Sequence, residues 1–492
     1  MKINEDSLMK EVKHRRILCW DRDFIEESEG VEIRAHRPEK RNIALLCDDE
    51  WEGVYNGYAG VLRVDGVYRM YYRACLGKSY VNEGYNEPEL TAICVAESND
   101  GIEFRKKRVG LYEFNGSKHN NIVFMRENKL DNFSVFYDEN PDCPADERFK
   151  ALAKYYGTGY SSLEYYASAD GYSFRSMGML DISGTFDTYN VLFWDKATER
   201  YFLYYRNFHT ADGKATVFDE ALDRINIRDI SLATSKDFKS WTDHGRIAYA
   251  EGQPDLQMYT NNIMRYYRSD DLFIGFPTRY ANHEGSEESL YDMPLGDYRR
   301  IAAEKYGRSA TAVTDLAIMT SRDGFLFNRR DEAFMTPGIE NRYNWWYGDC
   351  YMSYALIETP SEEWSAPNEL SLYVNDYYTN RRVSFRRYAI RIDGFFSWYA
   401  GFKGGRVLTK PLTVNGSRLS LNFATAALSA VTVTVCDESG KPIEGYRSRV
   451  IFGDSLDRTV GFERPLSDLS GKTVRLLFTL QDAELYSFAF AD

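Results

Sequence analysis

The stretch Ala167-Ser168-Ala169-Asp170-Gly171-Tyr172-Ser173-Phe174 reads as a strand end, a tight turn and an aromatic opening the returning strand. It recurs as Glu97-Ser98-Asn99-Asp100-Gly101-Ile102-Glu103-Phe104, as Thr234-Ser235-Lys236-Asp237-Phe238-Lys239-Ser240-Trp241 and as Thr320-Ser321-Arg322-Asp323-Gly324-Phe325-Leu326-Phe327. A weaker fifth copy is Arg391-Ile392-Asp393-Gly394-Phe395-Phe396-Ser397-Trp398. Asp closes such a turn with its side chain, Gly supplies a positive φ, and the aromatic packs the next strand. The aspartates at 100, 170, 237, 323 and 393 are 70, 67, 86 and 70 residues apart. A repeat of that length with several short strands per unit predicts an all-β chain built as a five-bladed β-propeller.

Between the turns the pattern is strand, tight turn, strand, longer loop, strand, with almost no helical periodicity. The best helical candidate, Asp297 to Arg308, explains the 86-residue step as an insertion. Residues 1–40 are charged and carry no copy of the turn, so they are expected to pack on the propeller or complete its last blade. Residues 41–401 are the propeller, with blade one from Asn42. Residues 402–492 change character: Leu419–Phe423, Ala430–Cys436, Thr473–Leu480 and Leu485–Phe490 alternate as strands, with a turn at Asp437-Glu438-Ser439-Gly440. They are expected to form a C-terminal β-sandwich-like module.

The 492 residues carry a net charge of −13, which argues against nucleic acid and anionic membranes as partners. No window is long and apolar enough to span a bilayer, and the first residues lack a signal-peptide core. Seven dispersed cysteines without Cys-x-x-Cys spacing read as reduced thiols, so a cytoplasmic location is expected. Six histidines show no metal-binding spacing, and neither a metal nor a cofactor is expected. The composition leaves the oligomeric state open. The 38 Tyr, 29 Phe and 8 Trp suit sheet faces and also the walls of a sugar site.

The inner strands of a propeller begin at one mouth of its axial channel, so the repeat itself locates a site. Aligned on Gly60-Val61, Ser134-Val135, Asn190-Val191, Asn262-Ile263 and Met352-Ser353, the residues three positions earlier are Gly57, Asp131, Asp187, Tyr259 and Asp349. Three aspartates at equivalent entrances supply what glycoside hydrolysis needs, an acid for the leaving oxygen and a second carboxylate as nucleophile or base. Crowding them separates their pKa values. The competing reading is that each Asp caps a loop. Second strands end in Tyr71-Tyr72-Arg73, Tyr204-Tyr205-Arg206 and Pro277-Thr278-Arg279, which predicts arginines around the same mouth, binding substrate or bracing the aspartates. Trp51-Glu52 precedes blade one and Asn344-Trp345-Trp346-Tyr347 precedes Asp349, so Glu52 and an exposed Trp346 join the substrate-binding candidates. His209, after Arg206, is a lone histidine of the kind that is most often incidental.

Five blades, entrance aspartates and a trailing β-module together resemble the five-bladed propeller glycoside hydrolases, such as families 32, 43, 68, 117 and 130. In families with three acids these come from blades one, two and three, and Asp131 and Asp187 match the second and third. Blade one departs, with Asn56-Gly57 at its entrance, and the family 32 Asn-Asp-Pro-Asn-Gly box is absent. The resemblance implies a glycosidase removing a terminal sugar, a furanoside among the options, from an oligosaccharide or other glycoside. Asp131, Asp187 and Asp349 would be its acids, and Arg73, Arg206 and Arg279 its positioning groups. A phosphorylase holding phosphate on the arginines, as in family 130, and a non-catalytic carbohydrate-binding propeller are the alternatives.

Overall fold

The computed structural model describes residues 16–76, 90–126, 130, 132–156, 161–216, 226–378 and 382–492. Asp131 therefore lies outside the described residues. The four strong turns close as their composition requires. Ser98 Oγ accepts the Gly101 amide at 2.9 Å and Asp100 Oδ1 accepts the Ile102 amide at 2.8 Å. Ser168 and Ser321 do the same for Gly171 and Gly324, and Asp170, Asp237 and Asp323 take the following amides likewise.

The turn also joins one blade to the next. Tyr373 Oη donates to the Gly101 carbonyl at 2.5 Å, Tyr71 to Gly171 at 2.9 Å and Tyr204 to Gly324 at 2.7 Å. Each tyrosine sits in a second strand of the preceding blade. The third copy has Phe238 in place of glycine, at a φ of 63°. Its ring crosses to blade two, 5.2 Å from Tyr165 between centroids, and does with packing what the tyrosine hydroxyls do elsewhere.

Five antiparallel sheets follow. Blade one is Gly57–Val64, Val67–Leu76, Leu90–Ser98 and Arg105–Lys106; blade two is Phe133–Tyr137, Phe149–Tyr156, Ser161–Ser168 and Arg175–Met179. Blade three is Val191–Asp195, Arg200–His209, Ile227–Ser235 and Trp241–Arg246. Blade four is Met264–Arg265, Phe273–Gly275, Met319–Ser321 and Leu326–Arg329, and its middle strands continue as the pair Thr278–Asn282 and Ala312–Leu316. The expected insertion helix lies between those two, at Gly296–Tyr306. Blade five is Ile357–Thr359, Glu369–Asp376 and Ser384–Ile390, and its outer strand is Glu39–Leu46 from the other end of the chain. The propeller thus begins at Glu39, in blade five rather than blade one, and ends after Ile390.

Buried asparagines stitch neighbouring blades together. Asn190 donates to Asn132, Asn262 to the Met352 carbonyl at 2.7 Å, and Asn375 to the Asn56 carbonyl at 3.0 Å. Each satisfies a neighbour's polar group that is shut away from water.

The fifth turn departs from the others because it leaves the propeller. Asp393 itself takes the positive φ of 62°, and the strand after it, Phe396–Ala400, pairs with Glu32–Ala35 and with Thr473–Ala491. The four expected C-terminal strands merge into two long ones, and four short strands join them. Arg418–Cys436 and Thr473–Ala491 are each 19 residues, paired along their length with register shifts at 422–423 and 425–430, the second where Ala426-Ala427-Leu428-Ser429 breaks the alternation. The turn at 437–440 leads into Pro442–Arg447, a strand too polar to stand out by alternation. Alternate residues of the long strands, among them Leu419, Leu421, Val431, Val433, Leu476 and Phe478, are fully buried. Ile25–Glu29 pairs with Gly405–Thr409, so residues before the propeller enter this C-terminal sheet. Leu18 and Trp20 meanwhile pack with Tyr266 and Phe395 at its junction with the propeller.

Candidate active site

The entrances of blades one, three, four and five converge on a basket of tyrosines. Tyr259 stacks on Tyr351 at 5.6 Å and on Tyr280 at 5.7 Å, Tyr58 stacks on Tyr351 at 5.8 Å, and Tyr378 lies 5.4 Å from Tyr351. Tyr259 and Tyr347 share a short hydroxyl–hydroxyl bond. Burial pushes the Tyr58 and Tyr351 hydroxyls well above the ordinary value, helped by the surrounding tyrosines, so they stay protonated and available as donors. Sequence reasoning missed this basket. Its signal was present: Tyr58 follows entrance residue Gly57, Tyr259 is an entrance residue, and Tyr351 comes two after Asp349.

Three guanidinium groups stand on the rings. Arg73 lies 4.5 Å over Tyr58 and donates to Tyr378 Oη at 2.7 Å; Arg206 lies 4.5 Å over Tyr259; Arg228 lies 4.7 Å over Tyr280. Cation–π contact and desolvation by the same rings fix these groups in place. Arg206 is buried, and burial lowers its proton affinity, but Asp187 and the tyrosines more than restore it. Arg279 does not join them. Its neighbour Tyr280 faces the basket, so alternation turns Arg279 to the other face of the strand. There it grips Asp315 with two bonds of 2.7 and 2.5 Å. Arg228 occupies the place expected of Arg279.

Asp187 sits where its position in the repeat placed it. Its carboxylate pairs with Arg206 at 3.2 Å while its side chain remains 27 % exposed. Asp349 is turned the other way. It is buried, and its Oδ2 accepts the Trp346 amide at 3.2 Å, capping its own turn. Burial raises its pKa to about 7, those backbone bonds and Arg299 opposing and Asp376 adding. Gly348, at a φ of 94°, precedes it, because a Cβ there would lie 2.1 Å from the Tyr378 ring.

Trp346 is not an exposed sugar platform. Arg299, projecting from the Gly296–Tyr306 helix, covers the indole at 4.0 Å and donates to the Trp345 and Asn344 carbonyls at 2.8 and 2.9 Å. The insertion therefore locks the turn that carries Asp349. Glu52 is likewise withdrawn from solvent. Tyr72 donates to one oxygen at 2.5 Å, while Lys106 and the Asp49 amide, both at 2.8 Å, hold the other.

Four non-glycine residues at these entrances have left-handed φ: Tyr58 at 47°, Phe186 at 54°, Asn262 at 42° and Cys350 at 58°. Such strain concentrates where a fold fixes side chains for a task.

Among the described residues, His209, Asp229 and Asp255 form a cluster with ligand-type atoms within 4.8 Å. The guanidinium of Arg246 already bridges the two carboxylates, bonding Asp229 and, at 2.8 Å, Asp255. Burial lowers the His209 pKa, but Asp229 and the Thr210 carbonyl raise it on balance, which suits an imidazolium within this charge network.

No family model matches the chain, and no curated protein matches it in sequence. Solved structures similar to it include a glycosyl hydrolase from Bacteroides ovatus, at 13% identity over 73% of this chain and 94% of that one, with a TM-score of 0.43. A glycoside hydrolase family 43 arabinoxylan arabinofuranohydrolase from Bacillus subtilis matches at 11% identity over 92% and 81%, TM-score 0.32. A structure from the GH130 family, mannoside phosphorylases that include hydrolases of β-1,2-mannosidic linkages, matches at 12% over 72% and 93%, TM-score 0.38.

Proposed function

We propose that this protein is a glycosidase acting on the terminal sugar of an oligosaccharide held in the tyrosine basket. The observation that carries the reading is Asp187, solvent-reaching, ion-paired to the buried Arg206 and set at a blade entrance within a wall of hydroxyl donors. An ion-paired carboxylate suits the base or nucleophile half of glycoside hydrolysis. We assign the proton-donor half to Asp131, its equivalent in blade two. Asp349 acts on the site through the turn it caps. The tyrosine hydroxyls suit the oxygens of a sugar.

A second reading is favoured by the three arginines on the basket: a phosphorylase in which they hold inorganic phosphate in place of the attacking water. One experiment serves both. Nitrophenyl furanosides and pyranosides are offered, with and without phosphate, to wild type and to Asp187→Asn and Asp131→Asn. Turnover of one sugar that both folded variants lose supports the glycosidase, and a strict phosphate requirement moves it to the phosphorylases. Variants that turn over sugar as wild type does would refute the assignment. No turnover on any sugar would favour a carbohydrate-binding propeller.

A further inference from the structure

The axial channel has a second mouth. The inner strands start at the tyrosine basket and run away from it. Their far ends, Val61–Arg63, Phe136–Tyr137, Leu192–Asp195, Met264–Arg265 and Tyr354–Leu356, line a cavity of about 730 Å³ to which all five blades contribute. Four to seven residues of strand separate the two mouths, roughly 13–23 Å at about 3.3 Å per residue. None of the candidate catalytic groups lines this cavity.

Its walls combine two features. The first is aromatic surface: Tyr137, Trp194 and Tyr354 are partly exposed and Tyr267 is 51% exposed. The second is charge of both signs, part of it paired across the cavity. Arg265 grips Asp195 with bonds of 2.8 and 2.7 Å, Lys196 holds Glu139 at 2.8 Å, and Tyr267 donates to Glu358. An anion would meet a wall whose carboxylates, Glu139, Asp195, Asp270 and Glu358, outnumber its cations, Arg63, Lys196 and Arg265. A wholly apolar ligand would strip water from these groups without replacing it. A neutral polyhydroxylated ligand meets neither obstacle: its C–H faces lie on the rings, and its hydroxyls supply donors and acceptors to the polar groups between them. We propose that this second mouth is a non-catalytic binding site for a neutral oligosaccharide, separate from the tyrosine basket and independent of what reaction occurs there.

The test is calorimetric titration of xylotetraose, mannotetraose and cellotetraose into the full chain carrying Asp187→Asn, so that the basket does not consume the probe. Three further substitutions are each combined with it: Tyr267→Ala, Trp194→Leu, and Ala197→Trp, which fills the cavity. The expected result is binding of at least one probe, about tenfold weaker in Tyr267→Ala and lost in Ala197→Trp, with melting curves matching the parent. Trp194→Leu guards against a single substitution that acts through folding. The proposal is overturned if no probe binds at millimolar concentration, if binding ignores all three cavity substitutions, or if trigalacturonate binds more tightly than any neutral probe.

Discussion

At the residue scale, Asp187 and Asp349 occupy equivalent places in the repeat and have opposite surroundings. Asp187 faces solvent and a guanidinium, so Asp187→Asn removes a charge without a buried gap but leaves the buried Arg206 without its carboxylate; kcat/KM is expected to fall about 10²–10⁴-fold, with a lowered melting temperature. Asp349 is a buried acid with a pKa raised from 3.8 to about 7. The folded state then holds its proton over a range where the unfolded chain has lost it, so its contribution to stability declines as pH rises from about 4 to 7. Three units correspond to a ceiling of about 4 kcal/mol. Asp349→Asn, which keeps an acceptor for the Trp346 amide, should match wild type near pH 4 and melt higher above pH 7. Melting curves across pH 4–8 check this, and parallel curves would contradict it. The repeat put both aspartates at blade entrances, yet it could not show which way each carboxyl turns. That is decided by Gly348, Tyr378 and Arg299, which reach the turn from blade five and from the insertion helix.

At the element scale, the Ser-x-Asp-Gly turn was legible because its chemistry is local: a hydroxyl, a carboxylate and a positive φ within four residues. Its second use, as an anchor for a tyrosine of the preceding blade, was not legible, because the partners are 100 or more residues apart. Two glycines separate these roles. Gly66, at a φ of 80°, has open space where a Cβ would go, whereas a Cβ on Gly171 would meet Tyr71 Oη at 2.6 Å and the Phe149 ring at 2.9 Å. Gly66→Ala should cost about 1 kcal/mol from backbone conformation alone, and Gly171→Ala about 3 kcal/mol with overpacking added. Urea denaturation of both variants tests the difference, and equal costs would deny the turn its inter-blade role. The polar strand Pro442–Arg447 and the single long strands either side of it escaped the sequence because alternation marks buried faces, and pairing can run on where burial stops.

At the scale of the whole molecule, one carboxylate joins three parts of the chain. Asp393, fully buried, accepts from Tyr266 of blade four at 2.8 Å and from Ser487 of the C-terminal sheet at 2.6 Å. Arg268 and Arg16 lie at 3.1 and 3.5 Å. Removing it strands two cations, so Asp393→Ala should destabilise by about 3–5 kcal/mol. It should also split unfolding into separate steps for propeller and C-terminal sheet, and a single transition in calorimetry would count against that junction. The closing strand Glu39–Leu46 has a further consequence, during synthesis. Its partner, Ser384–Ile390, is made some 340 residues later, which at about 5–20 residues per second means tens of seconds on the ribosome. Through that interval the strand has two unpaired edges, a state that invites pairing with other nascent chains. The charged run Glu39-Lys40-Arg41 at its start is then a guard for the newborn polypeptide as much as a part of the finished ring.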